Sequence, residues 1–268
     1  KLDLDGSRRW EVDGRRIGPE RFFWRSPSFI ADGEGGILAM YIILRDEDYL
    51  DTDLYVQKVD AEGARQWPDS GMAVCRVAPT QSSPVFVTDG AGGCIVAWSD
   101  RRTGNTDIYA QRLNQNGSAR WITDGIVVNQ SSGYQYFPGI ATDGAGGFFI
   151  VWNDNRTGSN INLAAQHVDN NGTLLFAADG LQVVDAQGTQ QNHTVLSDGS
   201  GGMLIFWQDG RDNRYDLFGQ LWNDAITVTS PGTGALVNGA VSQEVRWSMR
   251  PSTVLFDHLE IHLSGSPG

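Results

Sequence analysis

The chain has two cysteines, two lysines and no long apolar run, and each scarcity narrows what it can be. Two thiols, Cys75 and Cys94, cannot build a disulfide framework. Both fall in apolar, strand-like segments, so they are expected as small buried thiols, with one Cys75–Cys94 bridge as the alternative. Lysine occurs only at Lys1 and Lys58, and the formal net charge is −12. Nucleic-acid backbones need clustered Lys and Arg, so they are excluded as partners. No apolar run approaches the ~20 residues that cross a bilayer as a helix. No stretch carries a capped 3.6-residue apolar period, which removes helical solenoids. No catalytic constellation stands out either.

Gly (33), Trp (9), Phe (11) and Tyr (7) are plentiful, a mixture suited to short strands joined by tight turns. These residues recur at a fixed interval. Asp-Gly pairs start at 32, 89, 143 and 198, in steps of 57, 54 and 55 residues. Gln57, Gln111, Gln166 and Gln220 keep steps of 54, 55 and 54. A third marker, Gly-x-x-x-Trp, stands at Gly6 and Trp10, Gly63 and Trp67, and Gly117 and Trp121. Three independent markers on one period define a tandem repeat.

Each period reads as four strands. In the second copy, strand a is 84–88 and the 89–93 turn reverses it, with Asp-Gly and Gly-Gly supplying positive φ. Strand b, 94–98, is nearly all apolar, as in a sheet covered on both faces. The loop 100–106 leads to strand c, 107–113, and a turn leads to strand d, 125–128. Four-stranded antiparallel units in tandem are the signature of β-propeller blades, which bury both sheet faces by stacking radially. The fold class is therefore all-β, a β-propeller of four-stranded antiparallel blades. Blades are expected at about 28–83, 84–137, 138–192 and 193–223. The last has no strand d of its own, whereas the first residues align with the end of a strand c followed by a strand d. Closure of the fourth blade by 1–27 gives a four-bladed ring; the alternative is a fragment of a larger propeller. Residues 224–268 break the pattern.

The run Asp-Gly-x-Gly-Gly, an apolar stretch, then Trp-x-Asp-x-Arg-x-Gly and Asp-Ile-Tyr-Ala-Gln-Arg-Leu is similar to a repeat of secreted or cell-surface bacterial β-propeller proteins. The likeness covers 1 to about 223. Residues 224–268 resemble the opening strands of an immunoglobulin-like or fibronectin type III-like module, here incomplete. The resemblance implies a secreted or cell-surface location within a larger multi-domain chain, and architecture more than chemistry. The first full copy departs from the pattern: Tyr41 takes the place of Trp98, and Ile43 that of Asp100.

The b–c loops carry Arg45, Arg102, Arg156 and Arg211, one per copy. Each Arg is expected to pair with the acid or amide at the foot of strand c (Asp53, Asp107, Asn162, Asp216), pinning the loop. The functional alternative is a ring of guanidinium groups facing a ligand. The d–a linkers share that rim and carry Tyr134, Gln135, Tyr136 and Gln190, side chains suited to carbohydrate or protein. These eight residues are the candidate ligand-binding set; no catalytic or metal residue is assigned. Ca²⁺ at turns such as Asp32 and Asp89 is the one cofactor considered, and the Asp-Gly turn role accounts for them without it. His258, Glu260 and His262 share one face of an expected strand, read as a solvated outer face. The functional expectation is a non-catalytic recognition or display module binding glycan or protein at this rim. Its alternatives are a propeller glycosidase (sialidase-like) and a structural spacer.

Overall fold

A computed structural model describes residues 5, 7, 10–20 except 12, 24–45, 51–222 except 159, 185, 212 and 213, and two later strands, 226–230 and 246–249. Every regular element among them is a strand. The first sheet holds β1 (Trp24–Ala31), β2 (Ile37–Leu44), β3 (Thr52–Val59) and β4 (Met72–Cys75). The second holds β5 (Gln81–Thr88), β6 (Cys94–Asp100), β7 (Asp107–Leu113) and β8 (Ile126–Asn129). The third holds β9 (Gln135–Thr142), β10 (Phe148–Asp154), β11 (Asn162–Val168) and β12 (Leu181–Val184). The fourth has three described strands, β13 (Gln190–Ser197), β14 (Met203–Asp209) and β15 (Asp216–Trp222). A separate antiparallel pair, β16 (Ile226–Ser230) and β17 (Arg246–Met249), follows. The remainder of the expected immunoglobulin-like segment, with His258, Glu260 and His262, lies outside the described residues.

Within each of the four sheets, strands pair antiparallel in chain order. The first strands, β5, β9 and β13, are neighbours from sheet to sheet, so they lie innermost and the fourth strands lie at the periphery. This is a β-propeller arrangement. The cores are inter-blade. Leu38, Met40, Ile42 and Leu54 of the first sheet pack on Cys94, Val96 and Trp98 of the second. Ile95, Ala97 and Ile108 pack on Phe148, Ile150 and Trp152. Phe149, Val151 and Leu163 pack on Met203, Ile205 and Trp207. Alternate residues of each b strand thus face opposite neighbours, which is why that strand is apolar throughout. Cys75 and Cys94 are separate buried thiols.

The Asp-Gly turns are fixed identically. Oδ1 of Asp32 accepts N–H bonds from Glu34 and Gly36, both at 2.8 Å. Asp89, Asp143 and Asp198 repeat this with the residues two and four positions on. The residue after each marker Gln ties these turns together. Lys58 bonds Glu34 and the Gly92 carbonyl of the next blade, both at 3.0 Å. Arg112 bonds Asp89 (2.9 Å) and the next blade's Gly146 carbonyl (2.8 Å). The His167 ring bonds its own blade's Asp143, at 3.0 Å, and among the described residues makes no tie to the fourth blade's turn; the fourth copy has Leu221 there.

Residues 1–27, expected to close the fourth blade, are described only in part. The described residues among 10–20 form no strand, and β15 is the outermost described strand of its sheet, with Leu217 78% exposed. The segment is instead held on the first blade. Nε1–H of Trp10 donates to the Ala61 carbonyl at 3.3 Å, and Arg15 to that of Glu62 at 3.1 Å.

Candidate functional site

The b–c loops and d–a linkers share one rim, laced by backbone bonds. Arg101 N–H donates to Thr80 O, Asn155 to Tyr134 O and Gly210 to Thr189 O, at 2.9–3.3 Å. Gln135 N–H donates to Thr106 O and Gln190 to Ile161 O, both at 2.8 Å.

Each rim Arg has a carboxylate partner, but in three blades it is not the expected one. Arg102 pairs with Asp100 at 2.6 Å, Arg156 with Asp154 (Nε to Oδ2, 2.8 Å) and Arg211 with Asp209 (2.5 Å). The same carboxylates accept the indole N–H of Trp98, Trp152 and Trp207 at 2.8, 3.2 and 3.0 Å. Two residues apart on a strand, Trp and Asp face one way, so the closer acid captures the Arg. Arg102 also lies over the Tyr109 ring at 4.0 Å, and Arg211 over Phe218 at 4.2 Å. The guanidinium of Arg211 holds Asp209 well below the usual carboxylate range. These three Arg residues are staples of the fold rather than a ligand-facing ring.

The first blade differs because Ile43 removes that acid. Tyr41, in the Trp position, turns its hydroxyl to the Ser70 carbonyl at 2.9 Å. Arg45 then reaches strand c: Nη2 lies 2.7 Å from Asp53 and Nη1 3.8 Å from Asp51. Here alone the expected Arg–strand c pairing forms. Arg76 flanks the other side of Asp53 at 3.6 Å. Burial raises the Asp53 carboxyl and outweighs the opposing pull of Arg45 and Arg76. Burial likewise raises the neighbouring Tyr55 phenol. The cluster opens to solvent through Arg76 and Asp51.

The linker candidates divide. Gln135 and Gln190 are fully buried, so neither can touch a ligand. Their amides bond the linker itself, Gln135 to Ser132 O at 3.0 Å and Gln190 to Gln187 O at 3.4 Å. Gln81 occupies the same register in the second blade. Tyr134 is half exposed. Tyr136 is partly buried, which raises its phenol, and sits edge-on to Phe137 with ring centroids 5.1 Å apart.

A bulge in each inner strand places Ser83, Phe137 and Asn192 at positive φ, at one register in three blades. The next residue is Pro84, Pro138 and, in the fourth blade, His193. His193 crosses to the third blade, its Nε2 3.1 Å from Val151 O and its Nδ1 3.1 Å from the Asn153 amide. Burial pushes it down to about 4, so the ring is neutral at ordinary pH. Nε2–H donates to the Val151 carbonyl, Nδ1 lies against Asn153 Oδ1, and Asn153 also bonds the Tyr136 hydroxyl. Sequence reading passed over His193, although a His standing where other copies have Pro is a departure in a single copy.

No family model matches the sequence, and no curated protein matches it. Solved structures do. The chain is similar to an endo-arabinase from Bacteroides thetaiotaomicron: 14% identity over 78% of this chain and 80% of that one, TM-score 0.44. It is similar to an α-L-arabinofuranosidase from Lactobacillus brevis: 10% identity, 75% and 73% coverage, TM-score 0.44. It is similar to a Penicillium chrysogenum α-L-arabinanase complexed with arabinobiose: 13% identity, 72% and 64% coverage, TM-score 0.46. At these identities the likeness is one of fold. Against the expectation of a non-catalytic recognition or display module, these three structures are named an endo-arabinase, an α-L-arabinofuranosidase and an α-L-arabinanase, and that expectation is withdrawn.

Proposed function

We propose that the chain is a glycoside-hydrolysing propeller whose chemistry lies at the rim of the first blade. One observation carries this reading: the first blade alone lacks the Trp–Asp–Arg staple, so Arg45 turns instead onto Asp53 and Asp51, with Arg76 on the other side of Asp53. Asp51 and Asp53 flank Thr52, the first residue of β3, which sets them roughly 6–7 Å apart. Glycosidase carboxyl pairs span about 5 to 9.5 Å. Asp53, raised by burial, is the general acid that protonates the leaving oxygen. Asp51, the more exposed, is the base or nucleophile. Arg45 orients both carboxyls, and Arg76 flanks Asp53.

The test is release of reducing ends from a panel of polysaccharides, arabinan included, by the purified chain. Turnover that Asp53→Asn and Asp51→Asn each cut at least about 100-fold is the expected result. Absence of turnover on every substrate, or turnover untouched by both substitutions, overturns the assignment.

A further inference from the structure

We infer that the first and second blades form a guanidinium-binding cavity between their a–b and c–d turns, on the rim opposite the b–c loops. The cavity measures about 450 Å³, a size that suits a small ligand. Asp32, Glu34, Asp60 and Glu62 of the first blade line it, with Gln115 of the second blade facing them. Lys58 is the cation in that lining, and its ammonium lies 3.0 Å from Glu34. Four carboxylates against one ammonium favour a cationic ligand.

The next junction shows which cation fits. Oδ2 of Asp89 takes Nε and Nη2 of Arg112 at 3.1 and 2.9 Å. The same guanidinium reaches the Gly146 carbonyl at 2.8 Å and the Asn170 amide oxygen, both on the third blade. Oδ2 of Asp143 bonds His167 at 3.0 Å, and that of Asp198 bonds the Ser200 hydroxyl at 2.6 Å. Asp32 departs from all three. It is only 7% exposed, yet its Oδ2 has no hydrogen-bond partner among the described residues. Lys58 stands where Arg112 does, but its Nζ bonds Glu34 and the Gly92 carbonyl and leaves Asp32 aside. Arg15 donates to the Glu62 carbonyl at 3.1 Å and makes no pair with Asp32 either. The two carboxylates are oriented alike: an added Cβ on Gly36 would sit 2.7 Å from Asp32 Oδ2, and one on Gly93 3.0 Å from Asp89 Oδ2. The first junction thus presents the oxygen that Arg112 covers in the second, with Gln115 at the position of Asn170.

A guanidinium suits this site better than a metal ion. Among the described residues no three His, Cys, Asp or Glu side chains are grouped to hold a metal. A guanidinium needs one carboxylate edge with further acceptors in its plane, the arrangement that Arg112 finds at Asp89, Gly146 and Asn170. The group is carried either by a free guanidino compound or by an arginine of a polypeptide partner.

The test is calorimetric titration of the chain with Nα-acetyl-L-arginine amide, N-propylguanidine, Nα-acetyl-L-lysine amide and CaCl2. Saturable binding of a guanidinium probe is expected, at least about tenfold tighter than that of the lysine amide, whose ammonium cannot bridge acceptors in one plane. Asp32→Asn keeps an oxygen for the Glu34 and Gly36 N–H groups and is expected to weaken binding at least about tenfold. Lys58→Arg copies Arg112, so it is expected to seat its own guanidinium on Asp32, abolish binding and raise the urea midpoint. Both variants are expected to keep the cooperative unfolding of the unsubstituted chain. Tighter binding of the arginine amide assigns the site to a partner's arginine; binding of N-propylguanidine at least as tight assigns it to a free guanidino compound. No binding of either guanidinium probe, equal binding of the lysine amide, or binding that both variants leave intact overturns the inference. Calcium binding without guanidinium binding overturns it too.

Discussion

The indole N–H of Trp98 donates to Oδ2 of Asp100 at 2.8 Å, and that carboxylate also holds Arg102 at 2.6 Å. Asp100 is fully buried, so removing it strands a buried N–H and a half-buried guanidinium. Asp100→Ala is expected to cost about 3–5 kcal/mol in denaturant unfolding. Trp98→Tyr with Asp100→Ile copies the first blade, which carries Tyr41 and Ile43 at those positions. The double variant is expected to cost less than the sum of its singles by about 1 kcal/mol or more.

Gly125 and Gly104 separate backbone strain from collision. Both have positive φ, +91° and +97°. An added Cβ at Gly125 would lie 2.5 Å from Trp98, and one at Gly104 meets nothing within 4 Å. Gly104→Ala is expected to lower stability by about 1 kcal/mol and Gly125→Ala by at least twice that, read as midpoint shifts in urea.

His193 makes the protein acid-sensitive. Its folded value of about 4 lies below the ordinary 6.5, so the unfolded chain takes up the proton first. Stability is complete above about pH 6.5 and falls as pH drops towards 4, by about 3 kcal/mol in all. His193→Pro, which copies Pro84 and Pro138, is expected to flatten that slope in urea titrations between pH 7 and 4.

Arg76 tunes the proposed acid. Its cation opposes the burial that raises Asp53, so Arg76→Ala is expected to raise Asp53 further. Hydrolysis needs Asp53 protonated and fails as pH rises through its value. The alkaline limb of the kcat/KM profile is therefore expected to move to higher pH in this variant, with the acid limb unmoved.

The period, the blade and the Asp-Gly turns were legible because each rests on local chemistry repeated at one interval. The partner of the rim Arg was not. Choosing Asp100 over Asp107 depends on side-chain direction across a hairpin, which spacing alone leaves open. Gln135 and Gln190 read as exposed because they sit in polar linkers, yet they are the linkers' internal anchors. Ile43 was noticed as a departure; its consequence, the turning of Arg45 onto Asp53 and Asp51, needed the distances to Arg45.

The tie after the marker Gln reaches forward in the first two blades and stops at its own turn with His167. The junction between third and fourth blades therefore rests on its apolar core, the Gln190–Ile161 backbone bond and the neutral ring of His193. Protonation of His193 on acidification therefore weakens the third-to-fourth junction, while the ties made by Lys58 and Arg112 in the first three blades do not involve that ring. A limited digest at pH 4–5 would carry that asymmetry as a single early cut ahead of β13.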